Sequence, residues 1–137
     1  MSGRTDATPL NVGMLKMPVP LTQAFVVPAG RRVVFVSGLT ARDGEGRTVA
    51  PGDPGGQADH ILTAIDAILR EAGGGMDDTI KLTIYVADRS YAAAVGKARA
   101  RWFPTAPPPA STMVQAALMS DDQLVEIEAV AVLPAAG

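Results

Sequence analysis

The alternation of apolar and polar residues along the chain predicts five strands and two helices. The strands fall at residues 22–27, 32–36, 79–87, 110–118 and 124–133. The clearest strand is 79–87, where side chains alternate between two faces. One face carries Ile80, Leu82, Ile84 and Val86, and the other carries Lys81, Thr83 and Tyr85. This segment is therefore expected to lie in a sheet with one face buried.

Two segments with helical spacing of apolar residues separate these strands. The first follows Asp53, a capping residue, and Pro54, which suits the first helical position because its missing N–H is not needed there. Its apolar stripe consists of Ile61, Ile65, Ile68, Leu69 and Ala72, and glycines 73–75 end it. The second helix is predicted over residues 90–103 and ends at Pro104. The face expected to be buried carries Tyr91, Val95, Ala98 and Trp102.

The order β-β-α-β-α-β-β favours an α+β fold in which both helices cover one face of a single sheet. Pro-Ala-Gly at residues 28–30 is a turn signal typical of a hairpin between the first two strands. Residues 1–18 are predicted to be a loose N-terminal segment, and residues 19–137 a single domain. The face that carries Thr83, Tyr85 and Glu126 would be open in a monomer. It is a candidate oligomer interface.

Composition excludes several kinds of chemistry. The 137 residues contain no cysteine and one histidine, His60, so thiol catalysis and cysteine- or multi-histidine metal sites are ruled out or nearly so. We expect no metal and no other cofactor. A net charge of −2 and an aromatic fraction of 4% argue against nucleic-acid binding. Residues 1–8 lack the apolar run of a secretory signal, and no stretch is long enough for a membrane span, so we expect a cytoplasmic protein.

Five short segments, in order, carry a family resemblance. They read Pro-Leu-Thr-Gln-Ala at 20–24, Val-Phe-Val-Ser-Gly at 34–38, Ile-Tyr-Val-Ala-Asp at 84–88, Pro-Pro-Ala-Ser-Thr at 108–112 and Glu-Ile-Glu-Ala-Val-Ala at 126–131. With them the chain resembles the Rid family (YjgF, reactive-intermediate deaminases). The resemblance implies a chorismate-mutase-like fold, a homotrimer with active sites at the three subunit clefts, and hydrolysis of small enamines or imines to a ketone and ammonia.

Mapped residue by residue, the resemblance makes Glu126 the candidate catalytic acid–base group. Four other family side chains are missing. The positions of the family's arginine, tyrosine, asparagine and cysteine hold Ala110, Leu21, Gly96 and Thr112, respectively. Removing one partner of a desolvated charged contact costs about 2–5 kcal/mol, so ordinary amino-acid-derived imines should be poor substrates. We therefore expect a wide, apolar cleft that takes a larger substrate.

Further candidates for substrate binding are the hydroxyls of Ser111 and Thr112 and the backbone at Gly38. Each also has a plain structural interpretation, as a strand hydroxyl or a turn glycine. Arg99, on the second helix, could instead supply a displaced clamp for a carboxylate. The main alternative to a hydrolase is a non-catalytic trimeric module that binds a hydrophobic metabolite. A ribonuclease is a third interpretation, which the acidic pI of 5.2 and the lone histidine disfavour.

Overall fold

The computed structural model describes residues 7–104 and 107–135. In chain order its strands and helices are β1 (Thr8–Leu10), β2 (Ala24–Val26), β3 (Arg32–Leu39), α1 (Pro54–Glu71), β4 (Thr79–Val86), α2 (Ala92–Trp102), β5 (Ala110–Gln115) and β6 (Val125–Leu133). Single turns of 3₁₀ helix precede β4 and α2. The described chain therefore follows the predicted order, with one additional short strand at its start.

The main sheet has four strands in the order β3-β6-β4-β5. The last strand in sequence, β6, lies between β3 and β4 and is antiparallel to both, whereas β5 is parallel to β4 at the edge. A register shift between Val36 and Leu39 marks a bulge in β3 at residues 37–38. The sheet is thus mixed, and its two edges are β3 and β5.

Both helices pack on one face of this sheet, as predicted. The core cluster consists of apolar side chains from α1 and α2 and of the side chains of β3, β4 and β6 that point toward the helices. Fully buried members include Ile61, Leu62, Ile65, Val95, Ala98, Leu82, Ile84 and Ile127. Ile68 is 40% exposed, so its place in the predicted apolar stripe of α1 was wrong, and Leu62 lies on the buried side instead. The apolar side chains on the two helices and the sheet supply the main burial energy of the domain.

The start and end signals of α1 are confirmed. The Asp53 side chain accepts a hydrogen bond from the Gly56 N–H at 3.0 Å, and Pro54 is the first helical residue. After Glu71 the chain leaves the helix through Gly73, whose φ of +95° belongs to the left-handed region that favours glycine. These local signals were sufficient to place both ends.

The predicted hairpin between the first two strands is wrong. Within the described residues, β2 pairs with β1 in a separate two-stranded sheet, and β3 pairs with β6. Gly30 does have a positive φ of +84°, as a turn requires, but a turn signal reverses the chain without fixing which strands pair. Long-range burial against β6 decides the partner of β3.

Candidate functional site

The face of the main sheet opposite the helices carries the predicted catalytic residue. Glu126 is half-buried on β6 and is paired in register with Tyr85 on β4. The β3 bulge brings Gly38 against the same carboxylate. A Cβ placed on Gly38 would lie 3.1 Å from Glu126 Cδ and closer still to Oε2, so only glycine leaves room for the carboxylate in this position. Close approach, and not a positive φ, is what requires glycine at position 38.

The two carboxylates of β6 have different surroundings. Glu128 accepts a hydrogen bond from the Tyr85 hydroxyl at 2.9 Å, and this bond, together with burial, raises the pKa of Tyr85. Within the described residues, the Glu126 carboxylate makes no hydrogen bond and no ion pair. Glu128 therefore already has a structural partner, while the Glu126 carboxylate is available to a ligand or to water.

Two further predicted residues lie on this open face, at the sheet edge. Ala110 pairs in register with Lys81, and Thr112 pairs with Thr83. The Thr112 hydroxyl accepts a hydrogen bond from the Lys81 ammonium at 2.8 Å. The threonine hydroxyl is thus held by the Lys81 side chain, and strand β4 lies between both edge residues and Glu126.

The remaining predicted residues line a groove of about 730 Å³ on the opposite side of β5, against α2. Leu21, Gly96 and Ser111 belong to it. Its other walls come from the segment before β2, from α2, and from the proline-rich link and strand β5: Pro18, Val19, Pro20, Ala92, Ala93, Arg99, Ala100, Phe103, Pro104, Pro108, Pro109 and Met113. No aspartate or glutamate is among these lining residues. The groove is therefore largely apolar, as the sequence predicted for the cleft.

One cation interrupts the apolar lining. The Arg99 guanidinium is half-buried in the groove, and its Nη1 donates a hydrogen bond to Ser111 Oγ at 3.2 Å. Burial lowers the pKa of Arg99, because the charged form loses hydration that no carboxylate replaces. The Arg99 guanidinium thus lies beside Ser111, on the side of β5 opposite to the face that carries Ala110.

Several residues that organise these surfaces were not recognised from sequence. The buried Thr22 hydroxyl donates to the Pro108 carbonyl, which ties the segment before β2 to the proline-rich link along the groove. The buried Gln123 side chain bonds both backbone groups of Ala41 and so anchors the long loop after β3 beside the start of β6. A glutamine that follows a polar turn gives no signal of burial, because turns normally lie at the surface.

The described residues contain no group of three or more histidine, cysteine, aspartate or glutamate side chains arranged to hold a metal ion. Among the helices in this part of the chain, none has the length and apolar character needed to cross a membrane. The polar groups available to a ligand on the open face and in the groove are therefore the Glu126 carboxylate, strand hydroxyls, the Arg99 guanidinium and backbone groups.

A mixed sheet with two helices on one face and a bulged edge strand is the chorismate-mutase-like α+β fold. Residues 18–133 match the sequence family described as Endoribonuclease L-PSP, to which this chain belongs and which includes the Rid and YjgF proteins. The fold class and family predicted from the sequence are therefore confirmed.

Individual relatives agree with this placement. The RutC family protein slr0709 of Synechocystis is 35% identical over 118 residues, which cover 85% of this chain and 91% of the relative. The crystal structure of the Rid family protein YyfB from Yersinia pestis is similar with a TM-score of 0.82 and 25% identity, over 94% of this chain and 100% of that one. RidA from an Antarctic Psychrobacter is similar with a TM-score of 0.67 and 27% identity, over 97% and 99%.

Proposed function

We propose that this protein is a cytoplasmic, trimeric Rid-family hydrolase that acts on an imine or enamine, with Glu126 as the group that moves protons. The observation that carries the proposal is the Glu126 carboxylate, which is held against Gly38 by the β3 bulge and has no partner among the described residues. Rid-family membership supports a role with small molecules. The proposed binding residues lie on two surfaces of one subunit: Ala110 and Thr112 on the open face with Glu126, and Leu21, Gly96 and Ser111 in the groove.

The reaction needs one water and no external oxidant or reductant. A water attacks the carbon of the C=N bond, while Glu126 accepts a proton from that water and returns it to the nitrogen. The resulting carbinolamine collapses to a ketone as ammonia leaves, so that R₂C=NH and H₂O give R₂C=O and NH₃. A general acid–base group of this kind contributes about 10²- to 10⁴-fold in rate.

The open sheet face supports the proposed trimer. Phe35 is 79% exposed on this face, beside the exposed Val33, and Val114 is exposed at the other edge. The two edge strands, β3 and β5, thus present apolar side chains to solvent on either side of the strands that carry Tyr85 and Glu126. Apolar patches of this kind mark association surfaces, since burying them in a subunit contact is favourable. In such a trimer, Glu126 and a groove residue from a neighbouring copy could share one cleft.

The test compares ammonia release by wild type, Glu126→Gln and Glu128→Gln above the uncatalysed rate. One substrate is an aromatic 2-imino acid and the other an aliphatic 2-imino acid, each generated in the assay by an amino-acid oxidase. Glu128→Gln is the matched control, because it removes a carboxylate from the same strand face two residues away. We expect Glu126→Gln alone to lose at least about 100-fold in rate. Equal rates for wild type and Glu126→Gln would remove Glu126 from the mechanism.

A second candidate function, a non-catalytic binding module, is favoured by one observation: Ala110 stands where the family carries its arginine. It predicts that ligands raise the melting temperature without any turnover. Turnover that depends on Glu126 would exclude it.

A further inference from the structure

The apolar groove between α2 and β5 contains a cation that the fold itself does not use. Arg99 projects from the last turn and a half of α2, and its neighbours in the groove are Ser111, Gly96 and apolar side chains. Its hydrogen bond to a neutral serine hydroxyl is its one polar contact within the described residues, and it takes part in no ion pair there.

A guanidinium in this position is unfavourable for folding unless something compensates it. Transfer of a charged group out of water is costly, and one neutral hydrogen bond replaces only part of its hydration. Arg101, the last residue but one of α2, is exposed and shows that the same helix can place an arginine in solvent. The half-buried guanidinium of Arg99, which has no carboxylate beside it among the described residues, is therefore best explained by an anionic ligand that binds in the groove.

We infer that Arg99 and Ser111 form a carboxylate-binding site in this groove, and that its ligands are amphipathic carboxylates with an aromatic or branched apolar body. The planar guanidinium matches a carboxylate in a paired arrangement, and the Ser111 hydroxyl is placed to donate a second bond. Phe103, Met113 and Leu21 provide the apolar walls for the body of the ligand.

The space around the guanidinium fits this ligand class. A Cβ placed on Gly96 would lie 3.7 Å from Arg99 Nη2, which is ordinary van der Waals contact. Glycine at this position thus leaves one side of the guanidinium uncovered toward the groove. The groove volume of about 730 Å³ lies in the range of small-molecule sites. The inference deepens the proposed function, on which its choice of substrate class rests, because it selects imines that carry a carboxylate and an apolar side chain.

The test measures binding and not turnover. Phenylacetate and its uncharged analogue phenylacetamide are titrated by calorimetry into wild type, Arg99→Met and Arg101→Met. Methionine keeps the apolar stem of the side chain and removes the charge, and Arg101→Met controls for the change in net charge. We expect wild type and Arg101→Met to bind phenylacetate about 10- to 100-fold more tightly than phenylacetamide. In Arg99→Met the ratio should fall to about one.

Two results would overturn the inference. One is a preference for phenylacetate that survives in Arg99→Met, which would locate the cationic partner elsewhere. The other is an absence of phenylacetate binding by a wild-type protein that is folded by circular dichroism. A failure of the proposed function would give a different result. The protein would then bind phenylacetate through Arg99 but release no ammonia from either imine.

Discussion

Replacing Gly38 by alanine tests whether the position of the Glu126 carboxylate matters for chemistry and not for stability. The new Cβ would lie 3.1 Å from Glu126 Cδ and 3.3 Å from Cγ, against about 3.5–4.0 Å for favourable carbon contacts. The carboxyl group, which is the far end of a flexible side chain, must therefore rotate or shift by about 0.5 Å or more. The backbone at position 38 has no positive φ that would oppose alanine.

The expected signs of the two effects are opposite. Gly38→Ala should leave stability unchanged or raise it by up to about 1 kcal/mol, because alanine restricts the unfolded chain. Displacement of a catalytic group by about 1 Å costs about 100-fold in rate, so the smaller shift here should cost about 10- to 100-fold. Gly44→Ala is the control, since a Cβ at Gly44 meets nothing within 4 Å.

The assay is ammonia release from the two imines, read beside thermal unfolding of each variant. An unchanged rate in Gly38→Ala would refute the argument that the β3 bulge positions Glu126. A rate loss that is accompanied by an equal loss of stability would refute it too, because a general folding defect would then be sufficient. A crystal structure of Gly38→Ala would show directly whether the carboxylate has moved.

Three further predictions concern stability and titration. Arg99→Met should raise the melting temperature by a similar amount at all values from about pH 5 to about pH 9, because arginine stays charged in proteins across this range. A decrease in melting temperature would contradict the unfavourable burial of the guanidinium. Glu128→Gln should lower the pKa of Tyr85, which is measured by phenolate absorbance in a Tyr91→Phe background, and an unchanged titration would contradict the hydrogen bond. In the wild type, the contribution of Tyr85 to stability is present below the ordinary tyrosine pKa and is lost as pH rises through the raised value. Gln57→Leu should cost about 2–4 kcal/mol in denaturant unfolding, because it leaves the partly buried N–H of Leu124 and C=O of Asp122 without their side-chain partner. A cost below about 1 kcal/mol would show that water replaces Gln57 at both groups.

Local signals in the sequence were sufficient for the elements and their faces. Asp53, Pro54 and the glycines after Glu71 bound α1 correctly, since caps and breakers act within a single turn. Alternation in β4 correctly separated buried Leu82 and Ile84 from half-buried Lys81 and Thr83. It was wrong for Ile80, which is half-buried where the register of β4 shifts between Thr79 and Lys81. The five family segments also fixed the fold class, because they follow one another in the order of the fold's elements.

Pairing and the site depended on contacts between residues distant in sequence. Alternation assigns a strand's face but not its neighbour, so the insertion of β6 between β3 and β4, and the pairing of β2 with β1, followed only from tertiary burial. The sequence alone proposed Glu126 as the candidate acid–base group and Arg99 as a displaced clamp. Only the tertiary structure decided that Arg99 lies in the groove beside Ser111, since that depends on how α2 packs along the edge strand β5.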